Sequence, residues 1–166
     1  RWLHESFGSN YRGTEMQAAI GRIQYRKLPV WHKQRTENAM YLAGLLEAIP
    51  GVQVPRPAAD ETHAYYRLYG RLNLSLLPVG WDRDRVIGEM GKRGYPLSIG
   101  STAEVYRELA LQQSEFVPEP PLPGSQRRGE DALAFVVHPG VSRTWLSGSA
   151  AALADVMSNA GTRKAL

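Results

Sequence analysis

The sequence contains no cysteine, which excludes both a disulfide framework and a thiolate metal site. It also has no apolar run near the roughly 20 residues that span a bilayer, so we expect no membrane partner. The first residues, Arg1 to Glu5, show neither the order of a signal peptide nor an initiator methionine. These absences predict a cytoplasmic protein, and the chain looks like a piece of a longer one.

A cluster of basic residues is also missing, although the net charge is +4. The arginines are spread from Arg12 to Arg163 with acids between them, and the densest group, Arg83-Asp84-Arg85, is interrupted by its own carboxylate. Nucleic-acid binding needs basic groups gathered on one face. The pattern therefore favours a solvated surface and no nucleic-acid partner. A non-catalytic basic binding domain is the alternative, which salt-titrated DNA binding would test.

What is present is the composition of one stable domain, with 43% hydrophobic residues among 166. Thr14 and Gln17 form a capping-box pattern, which predicts a helix from there to about Ala48 that kinks or breaks near Leu28-Pro29. Hydrophobic periodicity and turn residues then predict strands at 63–72, 95–99 and 134–138, helices at 82–93, 102–112 and 149–159, and a proline-rich connection at 116–124.

Two of these elements carry specific predictions of side-chain direction. In the strand at 63–72, alternation predicts one face with Tyr65, Arg67, Tyr69 and Arg71, and another with Tyr66, Leu68 and Leu72. In the helix at 102–112, the apolar spacing predicts that Val105, Leu109 and Ala110 point inward. The order of elements suggests an α/β chain of the two-layer α+β kind, with a small sheet covered by helices.

The segment from Ser6 to Leu28, which reads SFGSNYRGTEMQAAIGRIQYRKL, closely resembles a signature of the DegT/StrS-type sugar aminotransferases. Later matches keep the order of that family and extend the resemblance to about Met157, with weaker agreement over 112–128. They are Arg35-Thr36-Glu37-Asn38-Ala39 with Tyr41, Pro50-Gly51-Val52, His63-Ala64-Tyr65-Tyr66, Arg83-Asp84-Arg85 and Gly94-Tyr95-Pro96. Gly13 and Ser147-Gly148 depart from the usual pattern.

The resemblance implies the C-terminal part of a fold-type I aminotransferase: an N-terminal loop and long interdomain helix over residues 1–48, then a small domain with a mostly antiparallel sheet over 49–166. The intact enzyme would be a cytoplasmic homodimer, serving polysaccharide or deoxysugar biosynthesis. It would use pyridoxal 5'-phosphate to move an amino group from glutamate to a nucleotide-linked keto-sugar. The family's cofactor lysine precedes the signature, so the resemblance implies no catalytic residue in this fragment, which alone would be inactive and without bound cofactor.

The same resemblance implies the candidate site residues. Asn10 would contact the cofactor phosphate in the neighbouring subunit, and Arg12 would pair with a phosphate of cofactor or nucleotide. His63, Tyr65 and Ser98 would contact substrate, although relatives commonly carry tyrosine or histidine near Ser98. Each has a plainer alternative: a local turn for Asn10, an interface salt bridge for Arg12, a structural donor for His63 and core packing for Tyr65.

Two further questions concern chemistry. The four histidines, which are His4, His32, His63 and His138, show no spacing that supports a metal site. Some family relatives replace the upstream lysine by histidine and act as dehydratases at the sugar's C3. Nothing after Arg1 separates that alternative from amino transfer.

Overall fold

The computed structural model describes residues 5–112, 114–115 and 117–162. Four helices, α1 (Glu15–Glu47), α2 (Arg83–Lys92), α3 (Pro123–Asp131) and α4 (Arg143–Thr162), accompany four short strands in that part of the chain. The strands are β1 (Val52–Gln53), β2 (Leu68–Leu72), β3 (Ser98–Ile99) and β4 (Ala132–Phe135). Some residues named in the predictions lie outside the described residues. They are His4, Phe116, Lys164 and the outermost ends of the two predicted domains.

The long helix α1 begins at the predicted place. Gln17 donates its backbone N–H to the Thr14 hydroxyl at 3.2 Å, and Thr14 donates its own to the Gln17 side chain at 2.9 Å, so the capping box is complete. The predicted break at Leu28-Pro29 does not occur: α1 is one continuous helix that contains Pro29. Proline removes one backbone donor there, but residues 15–30 are exposed and water can satisfy the freed carbonyl.

The sheet is antiparallel throughout, with strand order β1-β2-β4-β3. Leu68 is paired with Phe135 and Gly70 with Leu133, so these residues share one face. Tyr69 is paired with Ala134, which is paired with Ser98, and these three share the other face. We call that second face the open face, because Gln53, Tyr69 and Ser98 remain exposed on it.

The core lies between the first face of the sheet and the helices α1, α2 and α4. It is built from fully buried side chains that include Leu42, Leu46, Val86, Met90, Leu133, Phe135, Leu146, Leu153 and Val156. Buried Asn38 ties α1 to the loop after β4, since its amide donates to the carbonyl of His138 at 3.2 Å. At the C-terminal end of α1, Glu47 and Arg56 form a two-pronged ion pair with distances of 2.8 and 2.9 Å.

The α/β prediction of a small antiparallel sheet covered by helices is confirmed. The predicted strand at 63–72 is too long, because only Leu68–Leu72 is extended in the sheet. Its predicted faces are wrong before Leu68: Tyr65 has a left-handed φ of +44° and is buried, whereas Tyr66 is exposed. The left-handed residue interrupts the two-residue alternation, so sequence spacing no longer indicates side-chain direction.

The middle of the chain also differs from prediction. Residues 102–112 form two single 3₁₀ turns, Val105–Arg107 and Leu109–Leu111, in place of a helix. Val105 and Leu109 are 52% and 42% exposed, so the predicted inward face is wrong. Conversely, α3 occupies part of the predicted proline-rich connection and extends past it, starting with a proline at the position where a helix needs no N–H donor. Within the described residues, no helix is long and apolar enough to cross a membrane.

Candidate functional site

The loop before α1 presents Asn10 to solvent. Its side-chain oxygen accepts a hydrogen bond from the backbone N–H of Arg12 at 3.4 Å, which closes a local turn. This contact uses the amide's acceptor and leaves the side-chain N–H donors available. Among the described residues, Asn10 is therefore not packed inside its own chain, and its N–H donors are accessible to an anion of another molecule. The predicted contact across subunits stays a prediction.

Arg12 is also exposed, and its guanidinium makes no ion pair with any described residue. The loop continues into a half-helix, residues 15–30, in which every side chain is exposed. Large apolar side chains stand among them, including Met16, Ile20, Ile23, Leu28 and Val30, which are 49 to 75% exposed. An exposed apolar surface of this kind is typical of an interaction site. The alternative of a non-catalytic basic binding domain does not explain this exposed apolar surface.

The segment before β2 places His63 and Tyr65 differently. His63 is exposed, and its Nδ1 accepts the backbone N–H of Tyr65 at 3.0 Å, so Nε2 carries the ring proton and faces outward as a donor. Tyr65 is only 5% exposed and points its hydroxyl at the sulfur of Met40 at 3.7 Å. The exposed aromatic side chain of this segment is Tyr66, at 72%. Sequence alternation missed Tyr66 because it could not foresee the left-handed residue before it.

Helix α1 holds this segment through backbone carbonyls. His32 Nε2 donates to the carbonyl of His63 at 2.9 Å, and Arg35 donates to the carbonyls of Tyr65 and Tyr66 at 3.4 and 3.3 Å. Three carbonyls are therefore fixed by two side chains spaced three residues apart on one helix face. These bonds stabilise the unusual backbone that turns Tyr65 inward and Tyr66 outward.

Ser98 lies elsewhere, on the open face of the sheet. The register Ser98–Ala134–Tyr69 spans three strands, which places the Cα atoms of Ser98 and Tyr69 about 10 Å apart. The structure thus places Ser98 on the same sheet face as Tyr69, with Ala134 of the intervening strand between them. No hydrogen bond or ion pair between described residues joins the loop of Asn10 to either place.

Charged residues beside β2 form a group that the sequence did not single out. Arg71 is half-buried on the open face, and Arg128 and Asp131 follow on α3, joined by an ion pair of 2.9 Å. Sequence reasoning placed Arg71 on a strand but assigned no element to residues 125–131, so it gave Arg128 and Asp131 no position beside that strand. Pro123 followed by a polar run was the available signal for a helix.

The described residues offer no candidate for the cofactor lysine. Lys27, Lys33 and Lys92 are exposed, and Lys92 pairs with Glu89 at 2.8 Å. A lysine that forms a Schiff base needs a desolvated amine, which none of these has. Lys164 lies outside the described residues. No group of three or more histidines and acids within the described part of the chain could hold a metal ion.

Comparison with known proteins defines the class first. The fold matches a solved aminotransferase from Psychrobacter cryohalolentis with a TM-score of 0.81 and 42% identity, over 96% of this chain and 42% of that one. The chain therefore has the fold of part of a fold-type I aminotransferase, as the sequence predicted.

The particular family follows from the sequence match. The model of the DegT/DnrJ/EryC1/StrS aminotransferase family covers residues 1–146, and the chain belongs to this family. A "dTDP-3-amino-3,4,6-trideoxy-alpha-D-glucose transaminase" of Streptomyces venezuelae is 28% identical over 86% of this chain. A "dTDP-4-dehydro-2,3,6-trideoxy-D-glucose 4-aminotransferase" of Saccharopolyspora spinosa is 34% identical over 54% of it. The chain spans only 35% and 22% of the lengths of these two relatives.

Proposed function

We propose that this chain is the C-terminal part of a pyridoxal-phosphate-dependent aminotransferase that transfers an amino group from glutamate to a nucleotide-linked keto-sugar. The observation that carries the proposal is the family match over residues 1–146, together with two relatives named as transaminases of dTDP-sugars. In this proposal the chain supplies the small domain, part of the interface of a homodimer and a contact to the cofactor phosphate of the neighbouring subunit.

The residues of the loop fit an anionic group. Asn10 has free amide N–H donors, and Arg12 offers a planar set of donors that matches phosphate oxygens. The exposed start of α1 just beyond adds the positive end of a helix dipole. Pyridoxal phosphate, when bound, supplies the electron sink for amino transfer. The role of this chain is to hold its phosphate and to orient the bound group.

The segment at 63–66 supports the substrate side of the proposal. His63 presents Nε2–H to solvent as a hydrogen-bond donor, and Tyr66 presents an aromatic ring on which a flat group can stack. Tyr65, which the sequence offered as a substrate contact, packs in the core and positions its neighbours. Ser98 would contact substrate only from the open face of the sheet, apart from His63.

A complementation experiment in the full-length enzyme tests the contact across subunits. Subunits with Asn10→Asp are mixed with subunits that lack the upstream cofactor lysine, and transfer from glutamate to a dTDP-keto-sugar is measured. At a cofactor concentration near the wild-type Kd, the Asn10→Asp variant alone should have low activity, and the variant without the lysine should have none. If Asn10 acts in the neighbouring site, each hybrid dimer regains one intact site, and random mixing restores about a quarter of the wild-type activity. No recovery would show that Asn10 acts within its own subunit.

Asn10→Asp is chosen because aspartate keeps the side-chain oxygen that closes the local turn. It removes the N–H donors and adds a charge that repels phosphate, so cofactor affinity should fall roughly 10- to 100-fold. Unchanged cofactor affinity would indicate that Asn10 serves only the turn. Absence of amino transfer in the wild-type enzyme, with cofactor bound, would refute the proposed reaction and favour the dehydratase alternative.

A further inference from the structure

Met40 is an apolar residue on the polar side of α1. Glu37 and Glu47 lie along the same side and are exposed, and Met40 itself is 48% exposed. Two hydrogen-bond donors are directed at its sulfur. Nη1 of Arg56 donates to the sulfur at 3.1 Å, and the hydroxyl of Tyr65 donates to it at 3.7 Å. The sulfur is thus both open to solvent and surrounded by donors.

These donors are held in place around an atom that uses them poorly, because a thioether sulfur is a weak acceptor. The guanidinium of Arg56 is fixed by its two bonds to Glu47. Tyr65 is fixed by the core, in which only 5% of it remains exposed. An oxygen atom bonded to the sulfur would be a stronger acceptor for both, since oxidation makes a methionine side chain polar.

The distance to Tyr65 already suits such an oxygen. With an S–O bond of about 1.5 Å, an O–H···O distance of about 2.7 Å and an angle of about 120° at the accepting oxygen, the sulfur lies about 3.7 Å from the donor. The observed distance is 3.7 Å. Arg56 would have to withdraw by about 0.8 Å to donate to the same oxygen. That is a small movement for a side chain that is 32% exposed.

We propose that Met40 is a site of oxidation to the sulfoxide, and that Tyr65 and Arg56 hold the sulfoxide oxygen. Hydrogen peroxide is the oxidant. One of its oxygens bonds to the sulfur, the O–O bond breaks, and the proton of the transferred oxygen joins the leaving hydroxide to form water. Methionine oxidation commonly disrupts packing. Here the product gains an acceptor for Tyr65, so oxidation stabilises the segment that presents His63 and Tyr66.

Substitution tests the hydrogen bonds without any oxidant. A glutamine at this position carries an amide oxygen near the place of the sulfoxide oxygen, whereas leucine carries no acceptor. In the 166-residue chain, Met40→Gln should melt about 2–4 °C above Met40→Leu, which is the effect of one net hydrogen bond.

Met16 is the matched control for these substitutions. It also lies on α1, it is 75% exposed, and no described residue donates to its sulfur. Met16→Gln and Met16→Leu should therefore melt within about 1 °C of each other. An equal separation of the two variants at both positions would overturn the proposal, because it would show that the donors around Met40 gain nothing from an oxygen acceptor.

Peroxide treatment tests the modification itself. In the full-length enzyme, peptide mass spectrometry should find Met40 oxidised at peroxide concentrations that leave the buried Met90 intact. In the 166-residue chain, treated wild type should gain about 2–4 °C in melting temperature relative to treated Met40→Leu, which corrects for oxidation of other methionines. Methionine sulfoxide reductase should reverse this gain. Absence of oxidation at Met40 in the full-length enzyme, because another part of the protein covers it, would reject the site.

Tyr65→Phe separates the proposed bond from other effects of oxidation. It keeps the buried ring and removes the hydroxyl, so only Arg56 is left to hold the oxygen. The gain on peroxide treatment, again measured against Met40→Leu in the same background, should fall by about half or more. An undiminished gain in Tyr65→Phe, or a loss of melting temperature when Met40 of the wild type is oxidised, would refute the role given to the sulfoxide oxygen.

Discussion

Truncation of an apolar side chain should cost much stability in the second half of α1 and almost none in the first half. Leu42, in the second half, is fully buried in the core, whereas Ile20, in the first half, is 53% exposed and lies in a stretch with no buried residue. Replacing Leu42 by alanine removes buried atoms and leaves a cavity, which costs about 2–5 kcal/mol of unfolding free energy. Replacing Ile20 by alanine removes no tertiary contact and improves helix propensity by a few tenths, so we expect a change within about 0.5 kcal/mol.

Urea unfolding followed by circular dichroism measures both values. For a chain of this size each kcal/mol shifts the melting temperature by roughly 2–4 °C, so the two variants should separate clearly. The measurement is repeated at two protein concentrations, because self-association through the exposed half-helix would make stability depend on concentration. A loss above about 1 kcal/mol for Ile20→Ala, independent of concentration, would refute the reasoning, since it would require that this half of α1 packs on its own chain.

Two other predictions concern a surface ion pair and a crowded glycine. Hydrogen bonding from its arginine partner lowers the pKa of Glu47 below 4.5, so this stabilisation is present above that ordinary value and is lost as pH falls through the lowered pKa. Glu47→Gln should therefore cost under about 1 kcal/mol at pH 7 and nothing near pH 2, as measured by urea unfolding at both values. Gly148 lies within α4, where a Cβ would overlap the ring of Tyr95, 2.8 Å from its Cζ. Gly148→Ala should cost about 1–3 kcal/mol in thermal unfolding, against the usual gain for alanine in a helix.

Each of these has a matched control on α1. Glu37 makes no ion pair with a described residue, so Glu37→Gln should show no pH-dependent difference from the wild type. Gly44 has open space where a Cβ would stand, so Gly44→Ala should stabilise by up to about 1 kcal/mol. A stabilised Gly148→Ala variant, or a Glu47→Gln difference that persists in acid, would contradict the corresponding explanation.

The sequence by itself determined the elements whose signals are local. The capping box of Thr14 and Gln17 and the aspartate cap at Asp82 each place a helix start, because a cap depends on residues within one turn. The alternation of Leu68 and Leu72 predicted the buried face of β2 correctly. The long signature from Ser6 to Leu28 was sufficient to identify the family, because a match over so many consecutive positions is specific.

Tertiary structure alone decided which of these residues meet. The burial of Tyr65 and the exposure of Tyr66 depend on hydrogen bonds that the side chains of His32 and Arg35 donate to backbone carbonyls of this segment. These two side chains lie some thirty residues away in the sequence, so they leave no local signal. Strand register places Ser98 and Tyr69 on one sheet face, on either side of Ala134, and pairing across the sheet is not contained in any one strand's own sequence. The apolar spacing in the first half of α1 is as regular as in the second, but only packing distinguishes the half that the core covers from the half that it leaves exposed.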